Sequence, residues 1–251
     1  LDNLIQKHLS ALIELNTDEK NNSSRGIIYQ IKEGFGSTKI KNIIRLHKDL
    51  PEDDKKNLNK LGLRFGVEYL YIPDLLKPGA VKLRALLWGI VNNTFYKDAL
   101  PEDGRVAYSP SEEAPKDWYN IIGYSKLGDR VMRVDMVERL LALIRIAARD
   151  GSFKITEEML SIAGASKEQM SKVLMDLDFE LLDQDKNQEI TFDTVFKKKK
   201  KFIFKNKTKT IKKIKKDKIL KKMKTSKNTI TNIKINPDSP FAVLSNLKLK
   251  K

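Results

Sequence analysis

Residues 61–92 read LGLRFGVEYLYIPDLLKPGAVKLRALLWGIVN, and this stretch decides the fold. It is the longest densely apolar segment, and prolines divide it. Residues 67–72 (VEYLYI) are rich in β-branched and aromatic side chains and read as a strand ending at Pro73. Residues 74–77 make a short apolar turn before Pro78. Residues 79–91 then read as a helix with Val81, Leu83, Leu86, Leu87, Ile90 and Val91 on one broad face. Pro78 suits the helix start, because its missing N–H is one of the four that would be unpaired anyway. The stretch holds no Cys or His, and Glu68 and Asp74 are its only acids, so it is scaffold rather than catalytic site.

Upstream, residues 1–15 place Leu1, Leu4, Ile5, Leu9, Leu12 and Ile13 at helical spacing. Residues 16–24 are polar and turn-rich. A second helix over 25–33 is stopped by Gly34 and Gly36. Residues 40–50 read as a short helix, and Pro51 with Glu52, Asp53 and Asp54 opens another. Downstream, residues 92–117 contain Pro101, Gly104, Pro110 and Pro115 and read as a surface loop. Residues 119–125 and 130–134 read as two strands joined by a turn at Leu127, Gly128 and Asp129. Asp135 is expected to cap the next helix with Glu138 at the third position, and Met136, Val137, Leu140, Leu141, Leu143 and Ile144 form its inner face. Thr156 caps a short helix to Ala163, Gly164 turns the chain, and Ser166 caps a helix with Met170, Val173, Leu174 and Leu177 inward. A strand-like FELL follows, which makes the whole a helix-turn-helix of winged type.

Charge is segregated. Of the chain's 49 basic and 33 acidic residues, 21 lysines and 2 acids fall in residues 197–251, a net of +19. The remaining 28 and 31 leave a near-neutral body. Such asymmetry marks an interaction tail, and a polycation binds polyanions by counterion release. The phosphate contacts expected are Lys197, Lys198, Lys199, Lys200, Lys201, Lys212, Lys213, Lys215, Lys216, Lys221 and Lys222. The tail has no Arg for bidentate guanine contacts, so it carries no sequence information. Residues 197–235 are expected to be disordered and 236–251 to hold a short apolar motif, with Phe241, Val243, Leu244 and Leu247. With no cysteine, a disulfide framework and Cys-based zinc are excluded, and a reducing cytoplasm fits. No apolar run reaches the ~20 residues of a membrane span.

The remaining motifs have plainer readings. Asp183, Asp185 and Asn187 match the first ligands of a calcium loop, but Gln188 stands where Gly is needed and Thr194 where the bidentate Glu is needed. Gly34, Gly36 and Lys39 lack the order of a phosphate loop and read as helix termination. His8 and His47 stand alone. Tyr69, Tyr71, Trp88, Trp118 and Tyr119 read as core rather than a base-stacking platform. The surface of the second helix of the turn, with Ser166, Lys167, Glu168, Gln169 and Lys172, is mixed in sign and suits partner docking better than reading DNA.

Residues 61–88, then IIGYSKLGDRVMRVDMVERLLALI, FKITEEMLSIAGASKEQMSKVLMDLDF, a lysine-rich tract and DSPFAVLSNLK resemble, in that order, the region after the motor in alphaproteobacterial superfamily 2 RNA helicases related to the mitochondrial RNA degradosome helicase. The likeness spans nearly the whole chain. It implies an ATP-dependent parent enzyme, with ATP and Mg²⁺ held by two motor domains in cis, RNA as partner and a cytoplasmic site. No Walker loop, DExH-type box or arginine finger has a counterpart here, so no cofactor and no catalytic residue is assigned to this chain. A start at Leu1 rather than Met fits a missing N-terminal part. The expected architecture is mainly α with a small β-hairpin element (α+β). A helical domain over 1–100 is followed by a loop at 101–117, a hairpin plus winged helix-turn-helix at 118–196, and the tail. The alternative is a stand-alone winged-helix adaptor that binds DNA or a protein partner.

Overall fold

The structure is a computed structural model and describes residues 2–15, 21–182 and 190–199. Leu1–Lys200 is one unit of the chain and Lys201–Lys251 another, the second lying wholly outside the described residues. The described part is mixed α+β, with helices and small antiparallel sheets.

Helices α1 (Asp2–Ile13) and α2 (Asn22–Glu33) open the chain. Asn21 caps α2 by accepting the Ser23 N–H at 2.8 Å. Gly34 ends it, and Phe35 takes a left-handed conformation (φ 51°) that turns the backbone into β1 (Ser37–Lys39). Helices α3 (Ile40–Lys48) and α4 (Glu52–Lys60) follow, the latter with three acids in its first turn. Strands β2 (Arg64–Phe65) and β3 (Tyr69–Tyr71) complete a sheet in the order β1-β3-β2. The strand expected at 67–72 is thus its centre, and the two short partners had no signature of their own. A 3₁₀ turn at Pro73–Leu76 leads to α5 (Pro78–Asn92), with Pro78 in its first turn.

Helix α5 buries only part of the face its apolar spacing suggests: Val81 and Leu83 are inside and Leu87 packs on the core. Ala80, Val81, Leu83, Arg84, Ala85 and Gly89 are buried, whereas Leu86, Ile90 and Val91 are 42%, 60% and 77% exposed. Small residues let neighbours approach: Gly89 packs against Phe95, where a Cβ would come within 3.1 Å of the ring. Residues 101–117 are not a bare loop either. They hold β4 (Ala107–Tyr108) and the buried Ala114. Tyr119 lies in α6 (Lys116–Ile121), not in a strand. Strands β5 (Tyr124–Leu127) and β6 (Arg130–Arg133) pair around the Gly128–Asp129 turn, giving the sheet order β4-β6-β5.

Helix α7 (Val134–Ala147) starts two residues earlier than expected. Arg133 is its N-cap, and Asp135 binds the Arg133 guanidinium through both oxygens at 2.7 Å. After β7 (Ser152–Lys154) come α8 (Glu157–Ala163) and α9 (Lys167–Asp176). Thr156 caps α8, Gly164 turns at φ 54°, and Ser166 with Gln169 forms a full capping box. Strands β8 (Phe179–Leu181) and β9 (Val195–Lys198) close a sheet in the order β7-β9-β8. The lysine run therefore begins inside the central strand, so Lys197 and Lys198 belong to the body, not to a tail.

Three cores result. Leu9, Ile27, Ile28, Ile31, Leu58 and Leu70 build the first, and Trp118, Tyr119, Ile122 and Val131 another. Val137, Leu140, Met159, Met170, Val173, Phe153 and Phe196 build the third. Helix α5 serves two of them, with Ala80 and Leu83 in one and Val81 and Ala85 in the other. Each large side chain fully buried in this way contributes about 1.5–3 kcal/mol.

Two polar devices join the cores. The Arg84 guanidinium is 0% exposed and donates to the carbonyls of Phe35 (2.9 Å), Ile122 (2.9 Å) and Leu75. Burial pulls its pKa down to about 9, so it is charged at neutral pH. The Glu138 carboxylate, from α7, accepts the backbone N–H groups of Val67 (2.5 Å), Glu68 (2.8 Å) and Tyr69 (2.7 Å). It thus caps the β2–β3 turn rather than its own helix. A Cβ at Gly66 would run into that carboxylate. Glu138→Ala leaves three amide donors without their acceptor and is expected to destabilise the protein by about 2–4 kcal/mol, read from the urea midpoint. Glu138→Gln, which keeps one carbonyl oxygen, should lose roughly half of that.

Three phenols are hydrogen-bonded inside: Tyr69 to Ser125 Oγ (2.7 Å), Tyr108 to the Ala99 carbonyl (2.9 Å) and Tyr124 to the Arg105 carbonyl (2.7 Å). Burial raises all three pKa values, that of Tyr124 to about 12 from an ordinary 10.0. The unfolded chain therefore loses these protons first. Their stabilisation is complete below pH 10; that of Tyr124 is lost as pH rises through about 12, and that of Tyr69 and Tyr108 at still higher pH. Phenolate absorbance should show these tyrosines titrating late and together with alkaline unfolding.

Candidate nucleic-acid interface

Of the tail lysines, the structure places Lys197, Lys198 and Lys199. Lys197 lies 3.7 Å from Glu180 across the β8–β9 pair. Lys198 is exposed at the end of β9. The Lys199 N–H donates to the Asp178 carbonyl (2.8 Å), and its Nζ donates to the Met175 carbonyl at the end of α9 (3.3 Å). Lys200, Lys201, Lys212, Lys213, Lys215, Lys216, Lys221 and Lys222 lie outside the described residues, as do the calcium-like residues Asp183, Asp185 and Asn187 and the terminal 236–251 motif.

Sequence reading missed a basic cleft in the body. Its volume is about 490 Å³, and Gly34, Ser37, Thr38, Lys39, Lys41, Asn42, Tyr69, Lys116, Asp117 and Asn120 line it. Strand β1 and the first turn of α3 supply one wall, and α6 the other. Two features make it electropositive. The first turn of α3 carries no acid, and its cap makes no side-chain hydrogen bond. Lys39 also feels both of its neighbours: burial, then Lys41, lower its pKa, Glu68 at 4.0 Å opposes them, and Lys116 lowers it further against Asp176. Lys116 lies 3.9 Å from Asp176. Lys41 is exposed and has no ion-pair partner among the described residues. A second cleft, about 400 Å³, holds Arg105 and Arg130, but Asp98 and Glu102 line it too.

Part of the surface of α9 is engaged. Lys172 pairs with Asp129, Asp176 Oδ2 accepts the Gly128 N–H at 2.9 Å, and Lys167 sits over the Phe192 ring at 3.9 Å. The β5–β6 turn therefore packs along one side of this helix. Tyr69, Trp118 and Tyr119 are at most 2% exposed and serve as core, not as stacking surface. His47 packs on the Phe65 ring (5.4 Å), and burial, with Lys55 next, lowers its pKa. Gly34, Phe35 and Gly36 form the turn after α2. Among the described residues, no three His, Cys, Asp or Glu side chains come together to hold a metal ion, and no helix is long and apolar enough to cross a membrane.

A scan against protein-family models and searches of curated proteins and solved structures found no match to this chain.

Proposed function

We propose that this chain is the C-terminal accessory, RNA-binding part of an ATP-dependent RNA helicase, working beside motor domains in cis that hold ATP and Mg²⁺. The observation that carries the reading is charge segregation: a net of +19 over residues 197–251 against a near-neutral body. A polycation without arginine holds phosphates and reads no bases. The ordered sequence resemblance supplies the helicase context. The chain does no chemistry itself on this reading, and it acts in the cytoplasm.

The module from α7 to β9 is read as a winged helix. Its order is helix, strand, two helices and two strands, with the last strand in the middle of the sheet. This order also favours the second reading, a stand-alone winged-helix adaptor. The engaged sides of α9 speak against duplex reading by that helix. The test is binding of the full chain to single-stranded RNA and to duplex DNA at low salt. RNA binding at least as tight as duplex binding supports the proposal, and no RNA binding at about 50 mM salt contradicts it.

A further inference from the structure

We infer that the cleft between β1, α3 and α6 grips the phosphodiester backbone of single-stranded RNA, with Lys39, Lys41 and Lys116 as its cationic contacts. This inference rests on the nucleic-acid reading above and adds a defined site to it. Three observations carry it.

The first is size. About 490 Å³ is room for one or two nucleotides. The second is chemistry. The lining is lysine, hydroxyl and amide, with Ser37, Thr38, Asn42 and Asn120 beside the cations. The half-buried Lys39 feels the charge of both Lys41 and Lys116, only partly offset by Glu68 and Asp176, so an anion seated among the three lysines is favoured. Asp117 is the acid among the lining residues, and it is exposed. The buried Tyr69 offers no stacking face, so the cleft recognises backbone rather than base.

The third observation is continuity. Lys116 reaches Asp176 at the end of α9, and Lys199 Nζ binds the carbonyl of the adjacent Met175. The cleft, the end of α9 and Lys199 are therefore neighbours. A strand leaving the cleft past Lys116 would next meet Lys199 at the end of α9. The tail supplies electrostatic attraction, and the cleft fixes where the strand lies.

The test uses the full chain and a fluorescent oligouridylate across a salt series. Lys41→Gln with Lys116→Gln removes two exposed cations, so folding is not at issue. The slope of log affinity against log salt should fall by about 1.4, at about 0.7 per lost phosphate contact. The control pair, Lys60→Gln with Lys97→Gln, changes charge equally away from the cleft and should leave the slope unaltered. Bound RNA should also protect Lys41 and Lys116, but not Lys60, from acetylation read by mass spectrometry. If the wild-type chain binds RNA but the cleft pair matches the control pair and is not protected, the cleft is not the site and binding belongs to the tail. If the wild-type chain binds no RNA, the functional reading itself fails. Equal protection by inorganic phosphate alone would mark an anion site that does not require a polynucleotide, and would overturn the strand assignment.

Discussion

Arg84→Met should lower the stability of the body by about 3–5 kcal/mol. For a unit of this size that is a drop in Tm of roughly 6–20 °C. Replacing a buried ion by a hydrophobe is often harmless when its partners leave with it. Here they stay. The carbonyls of Phe35, Leu75 and Ile122 come from three separate segments, and each would keep a buried acceptor with no donor. They sit at the turn after α2, at the end of the 3₁₀ turn and at the end of α6, so the loss would loosen the joint between two cores. Arg84→Lys should be nearly as harmful, since one ammonium cannot reach three carbonyls arranged for a planar fork. Gly123 sharpens this demand, because a Cβ there would lie 3.0 Å from Nη2 of Arg84. A shift in Tm below about 2 °C for both variants would show that the guanidinium is not the joint.

Neutralising the tail should have the largest effect on binding. Replacing Lys200, Lys201, Lys212, Lys213, Lys215, Lys216, Lys221 and Lys222 together with Gln removes up to eight phosphate contacts. The salt slope should fall by about 5–6, and affinity for single-stranded RNA by at least roughly a hundredfold at physiological salt. The thermal stability of the body should not change, because these residues follow β9. Unchanged affinity in that variant would place the nucleic-acid site entirely within the body.

Local signals were read well where one residue decides the geometry. Thr156 and Ser166 cap their helices, Gly164 turns between them, and Pro78 opens α5, all as their chemistry requires. The failures share a cause. Apolar spacing put Leu86, Ile90 and Val91 inside α5, but close approach through Ala80, Ala85 and Gly89, and the polar joint at Arg84, set the buried face instead. Glu138 has the right spacing for a capping box, yet its partners lie about 70 residues away at β3. The lysine run looked like a uniform tail until Phe196, buried at 0%, fixed β9 in the middle of a sheet. The cleft was invisible for the same reason. Lys39 and Lys116 are distant in sequence, and only the packing of α6 beside β1 brings them together. The Lys-x-Lys at 39 and 41, next to Ser37 and Thr38 and with no acid in that turn, was the one local hint.

A cut at Phe196, where the lysines begin, would break β9, so a shortened chain must keep Val195–Lys198 and Lys199, which bonds to Asp178 and Met175. The most direct measurement is therefore RNA and duplex-DNA binding across a salt series for the full chain and for a chain ending at Lys199. The account predicts that truncation removes most of the affinity and most of the salt slope. A weak residue should survive that prefers single strands and depends on Lys41 and Lys116. Undiminished binding by the shortened chain, or a preference of that chain for duplex DNA, would contradict it.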